Sequence, residues 1–261
     1  MPVPPPVSES LLNLALDLAR RAGDLTLKWF RTADLAVDRK SDGSPVTAAD
    51  RASERLIREE LARERPDDAV VGEEEGTHAG TSDVRWYVDP LDGTKAFTRG
   101  VPLYSTLLAA SDAHGPAIGV IHLPALGETV YAGRGRGCFC NGRPARVSEV
   151  GAMRDACLTT SGFDYWPDPA LAAVKASGMA MRTWGDAYGY ALVATGRVEV
   201  MVDPLAAVWD VAPMLVILPE AGGRFTDLSG AARADGGNGV ASNGRLHDAV
   251  LPMLNVSIGK E

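Results

Sequence analysis

Three cysteines in 261 residues, Cys138, Cys140 and Cys157, are odd in number and lack paired C-x-x-C spacing, which argues against a disulfide framework or a zinc site. A reducing cytoplasm is the location expected from that usage. No apolar run approaches the ~18 residues of a membrane helix, because Gly, Pro or charge interrupts each candidate. The chain opens without a basic region followed by an apolar core; its proline-rich residues 1–7 read as a flexible tail. Basic residues are in deficit, 26 against 34 acidic for a formal charge of −8, and no Lys/Arg cluster is long enough to follow a phosphate backbone. Neither nucleic acid nor membrane is an expected partner. Internal repeats and low-complexity segments beyond the tail are absent too.

What the chain does have is periodicity. From Ser8 to about Phe30, apolar residues including Leu11, Leu14, Leu18, Ala22 and Trp29 recur at steps of three and four, which predicts an amphipathic helix with Ser8 as N-cap. A second helix is predicted from Thr47 through Ile57 and Leu61 to Pro66. The period then shortens, so residues 69–72, 84–88, 103–110, 117–122 and 129–132 read as strands. Beyond them strands are predicted near Cys157 and at 179–184, 198–202, 224–226 and 239–241, with helices at 171–176, 186–195, 209–221 and 245–254. Such alternation implies helices packed on a sheet. The expected organisation is one compact unit with an N-terminal α+β half, residues 8–150, and a C-terminal α/β half, residues 151–261.

The most informative stretch is Trp86-Tyr87-Val88-Asp89-Pro90-Leu91-Asp92-Gly93-Thr94. Pro90 fixes its own φ and donates no backbone hydrogen bond, while Gly93 permits conformations closed to other residues. A tight turn there lets Asp89 and Asp92 converge, where a straight strand would splay them. Oxygen-only ligands of this kind suit Mg²⁺, which favours a few carboxylates plus substrate phosphate. Three further acids sit at element ends. Glu73, in the run Gly72-Glu73-Glu74-Glu75-Gly76, closes a short apolar strand, although an acidic triplet is also an ordinary solvated face. Asp50 lies at capping-box spacing from Thr47, and Asp210 opens an otherwise apolar helix; each alone has a structural explanation.

With these motifs in this order, the chain resembles the inositol monophosphatase superfamily over nearly its whole length. The first signature lies at residues 86–97, the second runs from Trp209-Asp210 to Glu220-Ala221-Gly222-Gly223, and Gly72-Glu73-Glu74 precedes both. The resemblance implies an α-β-α-β-α layered sandwich of the inositol monophosphatase and fructose-bisphosphatase type, usually dimeric, and a lithium-sensitive, Mg²⁺-dependent phosphatase. It implies Glu73, Asp89, the Leu91 carbonyl, Asp92 and Asp210 as holders of two or three Mg²⁺, most of them in the N-terminal half. Asp50 is implied as an outer-shell or third-metal residue and Thr94 as the hydroxyl that helps position the attacking water, which Glu73 is expected to orient with it. The Gly93 and Thr94 amides are expected to bind phosphate oxygens of a small phosphorylated metabolite.

The leaving group is read from other segments. Residues 97–102, 184–188 and 200–204 look more like the histidinol-phosphate phosphatase branch, which would place the chain in histidine biosynthesis. Histidinol carries an ammonium and an imidazole, which Asp186 and Asp203 can pair with; an inositol ring offers only hydroxyls. Alternatively Asp186 caps a helix and Asp203 ends a strand before Pro204. Arg99 faces phosphate or forms a surface pair. His114, His122 and His247 read as loop or surface residues, His78 sits in a polar loop after the acidic triplet and either borders the entrance or has no part in the site, and Trp184, Tyr188 and Tyr190 stack on an imidazole or belong to the core. An inositol 1-phosphatase, a 3′-phosphoadenosine phosphatase and a metal-binding regulatory scaffold are the rival readings.

Overall fold

The computed structural model describes residues 3–33, 35–41 and 43–255. Among them are eight α-helices: α1 Glu9–Thr26, α2 Ala48–Glu64, α3 Thr94–Phe97, α4 Asp168–Ala176, α5 Asp186–Ala194, α6 Val208–Val211, α7 Met214–Glu220 and α8 His247–Leu254. No helix of the described residues is long and apolar enough to cross a membrane.

Two larger sheets organise the helices. The first has eight strands in the order Arg143–Pro144, Gly137–Cys140, Glu128–Gly133, Gly115–Leu123, Ser105–Asp112, Arg85–Asp92, Ala69–Gly72, Gly76–His78. Its neighbours are antiparallel except for the parallel pair Ala69–Gly72 and Arg85–Asp92. The second has five, in the order Ala180–Arg182, Cys157–Thr160, Val200–Asp203, Gly239–Ser242, Arg224–Thr226. Apolar faces dictate the stacking. Leu18 and Ala22 of α1 and Ile57 and Leu61 of α2 pack with Trp86, Leu108 and Val120 on one face of the first sheet. Leu107 and Ile121 on its other face meet Ala191 of α5 and Ile217 of α7, which also cover Met201 and Ala241 of the second sheet. Val174 of α4 and Val250 of α8 close the far side on Leu158 and Val200. The result is the α-β-α-β-α sandwich, and its middle helical layer shares one core with both sheets.

Close approach between layers uses glycine. A Cβ on Gly119 would lie 2.3 Å from the Pro213 carbonyl oxygen, a backbone atom with no rotamer to yield. Gly119→Ala is therefore expected to cost about 1–3 kcal/mol by overpacking, read as a lowered urea midpoint; an unchanged midpoint would contradict that contact.

Several expectations need correction. The first helix stops at Thr26 rather than near Phe30: the amides of Leu27, Lys28 and Trp29 bond three residues back, to Asp24, Leu25 and Thr26. That tighter turning brings Trp29 and Phe30 against Phe97 and Tyr104. The helix predicted over 209–221 is two helices, because Pro213 has no amide for a continuous ladder and instead precedes α7. The tail is anchored at its end. Val7 is buried and its amide bonds the Arg134 carbonyl, while Arg134 and Arg136 donate to the carbonyls of Pro5 and Val7; Met1 and Pro2 lie outside the described residues. His122 and His247 are not surface residues. His122 is held between Thr129 and Asp24, and His247 between Thr226 and Ser242.

Candidate active site

Strand pairing explains how two acids three residues apart share a face. Arg85–Asp92 pairs with Ser105–Asp112 up to Asp89↔Leu107, then resumes at Asp92↔Ser105. Three steps on one strand thus span two on the other, and the extra residue is a β-bulge that turns Asp92 to the side of Asp89. The expected turn after residue 88 is this bulge, followed by Gly93 at φ 80° and the short α3. Its Pro90 carbonyl is pinned from two neighbouring elements: Ser53 of α2 and Thr106 donate to it at 3.1 and 2.8 Å.

The bulge opens onto a cleft of about 600 Å³ between the ends of both sheets. Glu73, Asp89, Leu91, Asp92, Gly93, Thr94, Arg99, Asp186, Asp203 and Asp210 all line it. Asp50 lies just behind. It is buried, its Oδ2 accepts from the Thr47 amide and hydroxyl at 2.8 and 2.6 Å, and its Oδ1 accepts from the Thr94 hydroxyl at 3.3 Å. Both readings of Asp50 therefore hold at once, helix cap and partner of Thr94. The Thr94 hydroxyl also reaches the Leu91 carbonyl at 3.1 Å. Arg99 is exposed at the cleft edge, where its guanidinium donates to the Lys95 carbonyl at 3.2 Å.

Each acid is fastened through one oxygen. Asp89 Oδ1 accepts from the Leu91 amide at 3.0 Å, Asp92 Oδ2 from the Ala187 amide at 2.7 Å and Asp210 Oδ2 from the Ala207 amide at 2.7 Å. Glu73 Oε1 is 2.6 Å from Lys40 Nζ. Burial followed by Glu73, Asp92 and Asp210 pushes the Asp89 carboxyl well above its ordinary range. Burial, then Asp186 and Asp210, does the same to Asp92. Asp210 and Asp203 are each pushed up to about 7, chiefly by burial, against the opposing hydrogen bonds of the Ala207 amide and the Ser161 hydroxyl. Burial draws the Lys40 ammonium down, but Glu73 and Glu74 more than offset it and hold it charged.

As the side chains stand, no three acidic, histidine or cysteine groups among the described residues form a ready coordination sphere. The donor chemistry nevertheless fits a hard divalent cation: oxygen only, carboxylates converging at strand and helix ends, mutually repelling and outnumbering the Lys40 ammonium beside Glu73. A structural cluster would be expected to carry matched cations, as Asp68 does with Arg65.

The leaving-group side was partly missed. Ser161, directly after the Cys157–Thr160 strand, bonds Asp203 with its hydroxyl and accepts the Asp186 amide at 2.8 Å. It thereby secures Asp186 at φ 52°, a left-handed conformation that costs a non-glycine residue energy. Gly185, not Asp186, is the N-cap of α5, and Asp203 does end its strand. Tyr190 is core, with its buried hydroxyl facing Asp203, whereas Trp184 is exposed beneath Arg182. Lys40 had no motif to announce it. Ser161 had one weak signal, its place at a strand end before Gly162.

A layered sandwich with an acid-lined cleft at the ends of both sheets defines a class of phosphomonoesterases. The profile of the inositol monophosphatase family matches residues 8–257, and the chain belongs to that family. It is 43% identical over 258 residues to the histidinol-phosphatase of Mycobacterium tuberculosis, covering 95% of this chain and 99% of that one. The histidinol-phosphatase of Streptomyces coelicolor is 39% identical, with 94% and 96% covered. The solved Thermotoga maritima IMPase superposes with a TM-score of 0.86 at 34% identity over 94% of this chain and 97% of that one. The protein is a phosphomonoesterase.

Proposed function

We propose that this cleft hydrolyses L-histidinol phosphate to L-histidinol and phosphate with the help of two or three Mg²⁺. The observation that carries the substrate is the pair Asp186 and Asp203 beside Asp92, two acids on the leaving-group side braced by Ser161. A cationic alcohol suits such a floor, and the exposed apolar edges of Val101, Tyr165 and Leu205 at the mouth suit an imidazole. The identity to named histidinol-phosphatases supports the same choice.

Glu73, Asp89, the Leu91 carbonyl, Asp92 and Asp210 would hold the cations. Bound divalent ions would neutralise the phosphate dianion and lower the pKa of the attacking water. The remaining work belongs to the chain. Glu73 takes the water's proton, the Thr94 hydroxyl aims the water, and Asp50 fixes that hydroxyl. The Gly93 and Thr94 amides hold phosphate oxygens, with Arg99 at the edge.

Phosphate release from histidinol phosphate, inositol 1-phosphate and 3′-phosphoadenosine nucleotide, side by side, tests the reading. At least a tenfold preference in kcat/KM for histidinol phosphate is expected, with activity lost in EDTA and restored by Mg²⁺. Equal rates on inositol 1-phosphate would refute the substrate. Asp203→Asn should raise KM for histidinol phosphate by about 10–100-fold, the worth of one hydrogen bond to a charged group, with little change on a substrate lacking positive charge.

A further inference from the structure

We propose that Glu54, backed by Arg58, is a positioning residue that aims Glu73 at the divalent cations; the inference rests on the metal reading above. Glu54 is 0% exposed on α2, yet its carboxylate reaches the turn just after Glu73. Its Oε2 accepts the Glu74 amide at 2.8 Å and its Oε1 the Glu75 amide at 3.0 Å. Arg58 donates to Glu54 Oε1 at 2.8 Å and to the Gly76 carbonyl at 2.5 Å. Three consecutive residues after Glu73 are thus clasped by two side chains one helical turn apart. The fit extends to the backbone: a Cβ on Gly72 would stand 2.2 Å from Glu54 Oε1 and 2.7 Å from Arg58 Nη2.

The same helix face serves the other acidic segment. Asp50, Ser53 and Glu54 occupy positions i, i+3 and i+4 of α2 and so project together. Asp50 bonds Thr94, Ser53 bonds the Pro90 carbonyl in the bulge, and Glu54 bonds the Glu73 turn. One rigid helix therefore sets the register between two segments that come from different strands. A carboxylate is needed because two amide donors converge on it; a glutamine would turn its own NH₂ toward one of them. Without the clasp the turn is held in front by Lys40, which draws Glu73 and Glu74 toward itself.

Glu54→Gln should weaken Mg²⁺ binding, measured by isothermal titration calorimetry on the full chain, by about tenfold or more, as loss of a group orienting a metal ligand does. Half-saturating Mg²⁺ for phosphate release should rise by the same factor, with kcat at saturating Mg²⁺ largely regained. Gly72→Ala, which keeps both charges but displaces the clasp, should act in the same direction and answers the question if Glu54→Gln does not fold. Asp68→Asn removes a buried acid that bonds Arg65, Ser82 and Trp86 away from the cleft, and should lower the thermal midpoint with Mg²⁺ affinity unchanged. A folded Glu54→Gln protein within twofold of wild-type Mg²⁺ affinity would overturn the assignment. So would an equal loss in Asp68→Asn. Wild-type protein that takes up no Mg²⁺ would instead remove the metal reading itself, and the clasp's role with it.

Discussion

Asp92→Asn is expected to reduce phosphate release by about a thousandfold or more at saturating Mg²⁺, while the variant becomes more heat-stable than wild type in EDTA at pH 8. Both signs come from one fact. Burial, Asp186 and Asp210 push the Asp92 carboxyl upward, so its charge is a burden on the fold unless a cation offsets it. Asparagine removes that burden and keeps an oxygen for the Ala187 amide, which Asp92 Oδ2 accepts at 2.7 Å. What it loses is the second anionic oxygen and the negative charge, the properties a hard cation requires. Phosphate release together with a thermal melt in EDTA separates this from simple misfolding, which would lower both readings. Wild-type turnover by purified Asp92→Asn protein would remove Asp92 from the metal site.

How much of this was legible in the sequence differs by element, for physical reasons. Asp89 and Asp92 announced themselves because Pro90 and Gly93 are conformational instructions written locally, even though the geometry they produce is a bulge within a strand rather than a turn after it. The α1 and α2 faces were legible from their spacing, since burial on one side imposes the period directly. Pro213 was also in plain view, and its meaning was misread: it stands at the start of α7, where its missing amide ends the ladder of α6, although Pro219 is accommodated inside α7. Lys40 and Glu54 were invisible, and Ser161 nearly so, for another reason. Their roles are fixed by partners 33, 20 and 42 residues away, and no local pattern encodes such distances. The burial of His122 and His247, and the anchoring of Val7 on Arg134, belong to the same tertiary category.

Stability without divalent ions should fall as pH rises, the reverse of ordinary acid denaturation. Asp203 and Asp210 are pushed from about 3.8 when unfolded to about 7 when folded. Between those values the folded chain binds more protons than the unfolded one, so their contribution is full below the lower value and is lost as pH rises through the upper. From pH 6 to 8.5 each gives up on the order of 1 kcal/mol, and Asp89 and Asp92, whose carboxyls are also raised by burial and by neighbouring acids, add to the loss. His247 works the other way: burial lowers it to about 4, so its contribution fades only as pH falls from about 6.5 toward 4, and it offsets little above pH 6. A loss of several kcal/mol in a chain of this length lowers the thermal midpoint by on the order of 5–10 °C. Melts in EDTA at pH 6 and pH 8.5 should show that drop, and saturating Mg²⁺ should recover most of it at pH 8.5 and far less at pH 6, because a cation stabilises the acids only once they are charged. In Asp210→Asn protein the slope with pH should shrink. A midpoint in EDTA that climbs between pH 6 and 8.5 would mean that these carboxylates do not repel one another in the folded chain, and with that the physical reason for a cation in the cleft would be gone.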